Sequence, residues 1–286
     1  MSAMKKTSKQ DLEGKMDCGG LERSYFLHLP SVYDSSHECP LIILLHGRLG
    51  TGKRMLHQTG FNAIADREGF IAAYPDGFRR SWADGRGFTR ADEKGVDDVG
   101  FIEQLMALIR EAFSTDPSRT YIVGHSNGGF LTLRLCIEKT HLFSAAAIVA
   151  ASMSEVLEDR FDPKKPISLL FMHGTEDAVT PYEGRRLKDG AGILGVEEAV
   201  KIWARFNGCD PSPVLENRTD PGAPYPVTIA THRSCRNNTM ISFYRVQGGG
   251  HGWPGEPGGF SNAIGGESIP GINASEEIWS FFKSLE

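Results

Sequence analysis

The run Leu41-Ile42-Ile43-Leu44-Leu45 is apolar at every position over the length of one strand, as expected where helices cover both faces of a sheet. Comparable runs recur from Phe70 to Tyr74, at Tyr121-Ile122-Val123, from Ala145 to Ala151 and from Ile167 to Met172. Tyr25 to Leu29 and Ile241 to Val246 read as further strands. Between them, helical spacing appears from Asn62 to Arg67, from Phe130 to Glu138, and from Val99 to Phe113, where Phe101, Ile102, Leu105, Met106 and Ile109 share one face. Strands alternating with helices predict an α/β fold with a mostly parallel sheet wound by right-handed crossovers. Asp97 and Asp98, just before the Val99 helix, read as caps favoured by its dipole.

The last third is less regular. Glu197 to Phe206 has helical spacing, the proline-rich stretch from Pro211 to Pro226 reads as loop, and glycines from Gly248 to Gly266 predict a long functional loop. A lid role for Pro211 to Pro226 is left open. Asn273 with Glu276 offers a capping box for a last helix that turns Ile278, Trp279, Phe281 and Phe282 inward. Without repeats or a dividing linker, the expectation is one domain over residues 21–286, preceded by a flexible polar leader over residues 1–20.

Composition narrows the function. The chain has 286 residues, 40% apolar and 23% charged, with a net charge of −5, so neither nucleic acid nor an anionic membrane is an expected partner. The start, Met1 to Gly20, carries Lys5, Lys6, Lys9 and Lys15 and lacks the apolar core of a signal peptide. A cytoplasmic location is therefore expected, with secretion after removal of a leader as the alternative. Five cysteines without tight spacing disfavour a zinc site and a disulfide framework, although Cys209 and Cys235 bracket a stretch that a bridge could staple. Cys136, among leucines, reads as a small buried hydrophobe. Oligomeric state is not readable.

The chemistry concentrates at Gly124-His125-Ser126-Asn127-Gly128. A strand precedes it and a helix follows, which is the setting of a nucleophile elbow: a serine on a sharp turn, with glycines two residues either side so that strand and helix can pass closely. A serine hydroxyl needs a base and a carboxylate that orients the base. Loops after later strands supply Asp177, in His173-Gly174-Thr175-Glu176-Asp177, and His251, in Gly249-Gly250-His251-Gly252-Trp253, with the adjacent Glu176 as the competing carboxylate. The order Ser126, Asp177, His251 is that of α/β-hydrolases. The backbone N–H groups of Asn127 and of Arg48, with Leu49 as fallback, are the expected oxyanion donors. Trp82 and Trp253 are candidates to line the substrate pocket, with ordinary core packing as the competing role.

Two rival readings stand beside this one. Gly47-Arg48-Leu49-Gly50-Thr51-Gly52-Lys53 fits G-x-x-x-x-G-K after a strand, the layout of a phosphate-cradling loop, but Arg54 replaces the hydroxyl residue that would bind magnesium. A non-catalytic carbohydrate binder would keep the scaffold without the reaction.

Taken in order, Leu45-His46-Gly47, Tyr74-Pro75-Asp76-Gly77, Ser81-Trp82, Asp97-Asp98-Val99-Gly100-Phe101, the Ser126 elbow, His173-Gly174-Thr175-Glu176-Asp177 and Gly249-Gly250-His251-Gly252-Trp253-Pro254-Gly255 resemble the esterase/polyhydroxybutyrate depolymerase-like group, which includes feruloyl and acetylxylan esterases of carbohydrate esterase family one. The resemblance implies an α/β-hydrolase fold, Ser126 as nucleophile, Asp177 as acid, His251 as base, and no metal or organic cofactor. It also implies a Cys209–Cys235 disulfide. The implied substrate is an aromatic or acetyl ester, free or linked to polysaccharide, with a hydroxyalkanoate ester second. The segment Ser81-Trp82-Ala83-Asp84-Gly85-Arg86-Gly87 departs from the Ser-Trp-Asn and nearby cysteines common in relatives, so the acyl pocket does not transfer.

Overall fold

The computed structural model describes residues 4–8, 10–185, 192–219, 225–255 and 271–286. Among them one sheet is built from β1 (Lys5–Lys6), β2 (Asp11–Cys18), β3 (Leu21–His28), β4 (Cys39–Leu45), β5 (Ile71–Pro75), β6 (Thr115–His125), β7 (Ala145–Val149), β8 (Ser168–Gly174), β9 (Val214–Arg218), β10 (Val227–His232) and β11 (Ile241–Val246), in the order β1-β2-β3-β5-β4-β6-β7-β8-β11-β10-β9. The six strands from β5 to β11 in that order are parallel, and antiparallel strands extend both edges. No helix of the described residues is long and apolar enough to cross a membrane.

β4 shows why its sequence is apolar throughout. Leu41, Ile43 and Leu45 pack into a core with residues of the helices Asp98–Ala112, Asn127–Glu138 and Val196–Asn207. Ile42 and Leu44 pack into a second core with residues of Gly52–Gln58, Phe61–Glu68 and Ala274–Lys283. Alternation along a strand sends neighbours to opposite faces, and both faces are covered. Asp97 caps its helix as expected, accepting from Gly100 N–H at 2.8 Å. Asp98 does more: fully buried, it accepts from Arg23 at 2.6 Å and from Ala83 N–H at 2.7 Å.

Two expectations are corrected, and one rival reading falls. The polar leader is not a flexible appendage over its whole length, because β2 lies within it and pairs residue for residue with β3. Leu12, Gly14, Met16 and Cys18 alternate there with Glu13, Lys15 and Asp17, a half-buried strand whose charged face hid it. The stretch from Pro211 to Pro226 contains the exposed edge strand β9 rather than loop alone; residues 220–224, and with them part of the lid question, lie outside the described residues. The phosphate cradle is also absent: Gly52 N–H, which would face a phosphate, donates to the Asp76 carboxylate at 2.7 Å. Of the glycine-rich loop, residues 256–266 lie outside the described residues.

Candidate active site

The carboxyl ends of parallel strands gather loops at one edge of an open sheet. Here the loops after β4, β6, β8 and β11 supply the site. Ser126, between β6 and the helix Asn127–Glu138, has φ 51° and ψ −120°, a conformation that non-glycine residues seldom adopt. The flanking glycines make that turn possible. A Cβ on Gly124 would lie 2.2 Å from Gly128 O, and one on Gly128 would lie 2.2 Å from Leu45 O.

The loops after β8 and β11 are stitched together. Glu176 N–H donates to Gly249 O at 2.9 Å, Gly248 N–H donates to Thr175 Oγ1 at 2.8 Å, and Gly174 lets the Gly249 carbonyl approach to within 2.0 Å of where a Cβ would stand. That approach brings the distant residues together. Asp177 Oδ2 accepts from His251 Nδ1–H at 2.7 Å, and His251 Nε2 in turn accepts the Ser126 hydroxyl at 2.8 Å. The competing carboxylate, Glu176, is exposed, whereas Asp177 and His251 are buried.

Asp177 is fixed from the other side as well. Its Oδ1 accepts from Val179 N–H at 2.8 Å and Thr180 N–H at 2.7 Å. Burial alone would raise its pKa, but the hydrogen bond and charge of His251, with His173 and Thr180 N–H, outweigh it and hold the carboxyl below its usual value. His173 Nε2–H donates to Thr180 O at 2.8 Å, and burial keeps that imidazole below its ordinary pKa. His125, driven down to about 3 by burial and then by His251, donates from Nε2 to the His251 carbonyl at 3.0 Å and so steadies the loop that carries His251.

On the oxyanion side, Gly50 N–H closes a turn on Gly47 O at 2.9 Å, with Leu49 at φ 66°. Leu49 N–H is committed to Arg80 O at 2.8 Å, which removes the fallback donor. Arg48 and Asn127 both border the cavity, and neither backbone N–H has an acceptor among the described residues.

The two tryptophans do not line that cavity. Trp82 is fully buried, its indole donating to His46 O at 2.7 Å; Trp253 is also buried, borders a separate space of about 20 Å³ with Met55 and Thr59, and donates to Ser275 Oγ at 3.2 Å. Ordinary packing against the sheet claims both rings. The cavity of about 300 Å³ at Ser126 is instead edged by Leu49, Phe88, Val179 and Ile193, with Arg48, Arg86 and Arg185. Arg86 forks onto the buried Asp84, with Nη2 at 2.6 Å, and its guanidinium lies between the rings of Phe88 and Phe130, 4.3 and 3.5 Å from their centroids. Sequence reasoning passed over Arg86 and Phe88, although an arginine between Gly85 and Gly87 beside an aromatic residue was the available signal. The disulfide Cys209–Cys235 is present, away from the cavity lining.

With this geometry established, comparison with known proteins gives a consistent answer. Residues 19–249 match the family described as "Putative esterase". The "Putative esterase NocK" of Nocardia uniformis subsp. tsuyamanensis is 30% identical over 277 residues, which is 92% of this chain and 79% of that one. Feruloyl esterase B of Piromyces equi is 26% identical over 239 residues, 80% of this chain; the match takes in only 42% of that relative's length. Among solved structures, a CE1 ferulic acid esterase of Anaeromyces mucronatus superposes with a TM-score of 0.56 at 18% identity, covering 88% of this chain and 85% of that one, a likeness of fold. The chain carries the α/β-hydrolase architecture and belongs to the esterase family.

Proposed function

We propose that this protein hydrolyses carboxylic esters of carbohydrates, aromatic or acetyl, through an acyl-enzyme on Ser126. The observation that carries the reading is the chain of contacts from Ser126 Oγ through His251 to Asp177, at 2.8 and 2.7 Å. His251 Nε2 takes the serine proton as Oγ attacks the ester carbonyl, and returns it to the departing alcohol. Asp177 keeps the Nδ1–H tautomer and stabilises the imidazolium. The N–H groups of Arg48 and Asn127 hold the negative oxygen of the tetrahedral intermediate. A water activated by His251 then releases the acid. Phe88, Leu49 and Val179 give an aromatic acyl group an apolar wall, and the naming of similar proteins as feruloyl and ferulic acid esterases supports that choice.

The test is covalent labelling. A fluorophosphonate should modify Ser126 stoichiometrically, and a panel of methyl ferulate, acetylated xylan, 4-nitrophenyl esters and hydroxybutyrate oligomers should rank ferulate or acetyl esters first. An unlabelled Ser126 with no ester turnover would sink the proposal, and a clear lead for hydroxybutyrate oligomers would replace the substrate class.

A further inference from the structure

The charge at the cavity opposes that of the chain. Acidic residues outnumber lysine and arginine by 36 to 31 overall, yet the described residues bordering the Ser126 cavity include three arginines and no aspartate or glutamate. Arg86 is neutralised by Asp84, as described above. Among the described residues Arg48 and Arg185, both exposed, take part in none of the arginine ion pairs.

Both charges hang from fixed backbone. Arg48 sits in the Gly47 to Gly50 turn, and Arg185 exchanges two 2.8 Å backbone hydrogen bonds with Ile193. Two guanidinium groups at one cavity repel each other until an anion enters between them, and the planar guanidinium fork matches a carboxylate better than any neutral group. The apolar rim of Leu49, Phe88 and Val179 leaves the rest of such a ligand an uncharged surface to lie on. Resting on the esterase reading, we propose that the cavity selects esters carrying a carboxylate near the scissile bond, recognised by Arg48 and Arg185.

Two substrate pairs test this. 4-Nitrophenyl pentanoate and 4-nitrophenyl hemiglutarate differ by a carboxylate on the acyl side, and phenyl acetate and 4-acetoxybenzoate differ by one on the alcohol side. Each kcat/KM is divided by the ester's hydroxide-catalysed rate to remove intrinsic reactivity. In at least one pair the anionic ester should lead by about tenfold at low salt, and the lead should shrink as ionic strength approaches about 0.5 M. Arg185→Glu should cut the anionic-to-neutral ratio by about tenfold. Arg48→Gln, which keeps the backbone N–H, should lower the same ratio. If neutral esters are hydrolysed and neither pair shows a preference that Arg185→Glu lowers, the carboxylate selection is overturned while ester hydrolysis stands. If none of the four esters is hydrolysed and Ser126 takes no fluorophosphonate, the esterase reading falls, and this inference with it.

Discussion

The side-chain amide of Asn127 donates to the buried Asp84 carboxylate at 2.5 Å, so the residue directly after Ser126 is tied by its side chain to the loop that carries Arg86 and Phe88. The same side chain accepts from Trp82 N–H at 2.8 Å and donates to Trp82 O at 3.1 Å. Its own backbone N–H has no acceptor among the described residues. One asparagine therefore couples the elbow at Ser126 to the wall of the cavity.

Replacing Asn127 by alanine keeps that backbone N–H but strands Trp82 N–H and takes one donor from the Asp84 carboxylate, both in a buried setting. Unsatisfied buried groups cost about 1–3 kcal/mol, so the melting temperature should drop measurably. Turnover should fall by about ten- to a hundredfold through the loosened elbow. Unchanged kcat with unchanged stability would show that the tie holds nothing in place.

Asp177→Asn should lower kcat by about two to four orders of magnitude with little change in KM, because the amide no longer enforces the Nδ1–H tautomer of His251. Steady-state kinetics on a 4-nitrophenyl ester reads this directly. A loss confined to KM would contradict the assigned role.

Burial holds His46 at about 4 and His125 at about 3, whereas an unfolded chain protonates each ring near pH 6.5. Between those values the unfolded chain binds more protons than the native one. Each ring therefore lowers stability as pH falls, by up to about 1.4 kcal/mol per pH unit. Long-range proton–nitrogen spectra at pH 5 should show both rings neutral, and a protonated ring there would refute the sign.

The Cys209–Cys235 bridge spans 26 residues of chain between the end of the Val196–Asn207 helix and the segment after β10. Closing a loop of that length stabilises by about 3.5 kcal/mol in the chain-entropy account. The double alanine variant should unfold at a clearly lower temperature yet keep kcat/KM within about twofold at 25 °C. Equal loss of both would mean that the bridge shapes the site.

The parallel strands and the three polar residues of the proposed triad could be read in the sequence because each rested on a local pattern: apolar runs for the strands, and glycine-flanked strand ends for Ser126 and His251. Asp177 was separable from Glu176 only once folding buried one and exposed the other. β2 was missed because charges on one face lowered its apparent hydrophobicity, and β9 because its five residues are all exposed. Trp82 and Trp253 misled for a different reason. An indole suits a ligand wall and a core equally well, and only tertiary packing decided that Phe88 and its aliphatic neighbours would edge the cavity at Ser126.

Gly47 sets a limit on change at this site, since a Cβ there would stand 3.0 Å from His125 Nδ1 and 3.3 Å from Ser126 Cβ. Leu49 and Phe88, only a few residues along their loops, are 53% and 43% exposed and meet no such obstacle. Random mutation should therefore be purged at the floor of the cleft and tolerated at its brim. A lineage, or a directed-evolution library, can shift which ester it prefers by recolouring the brim while the floor stays as it is.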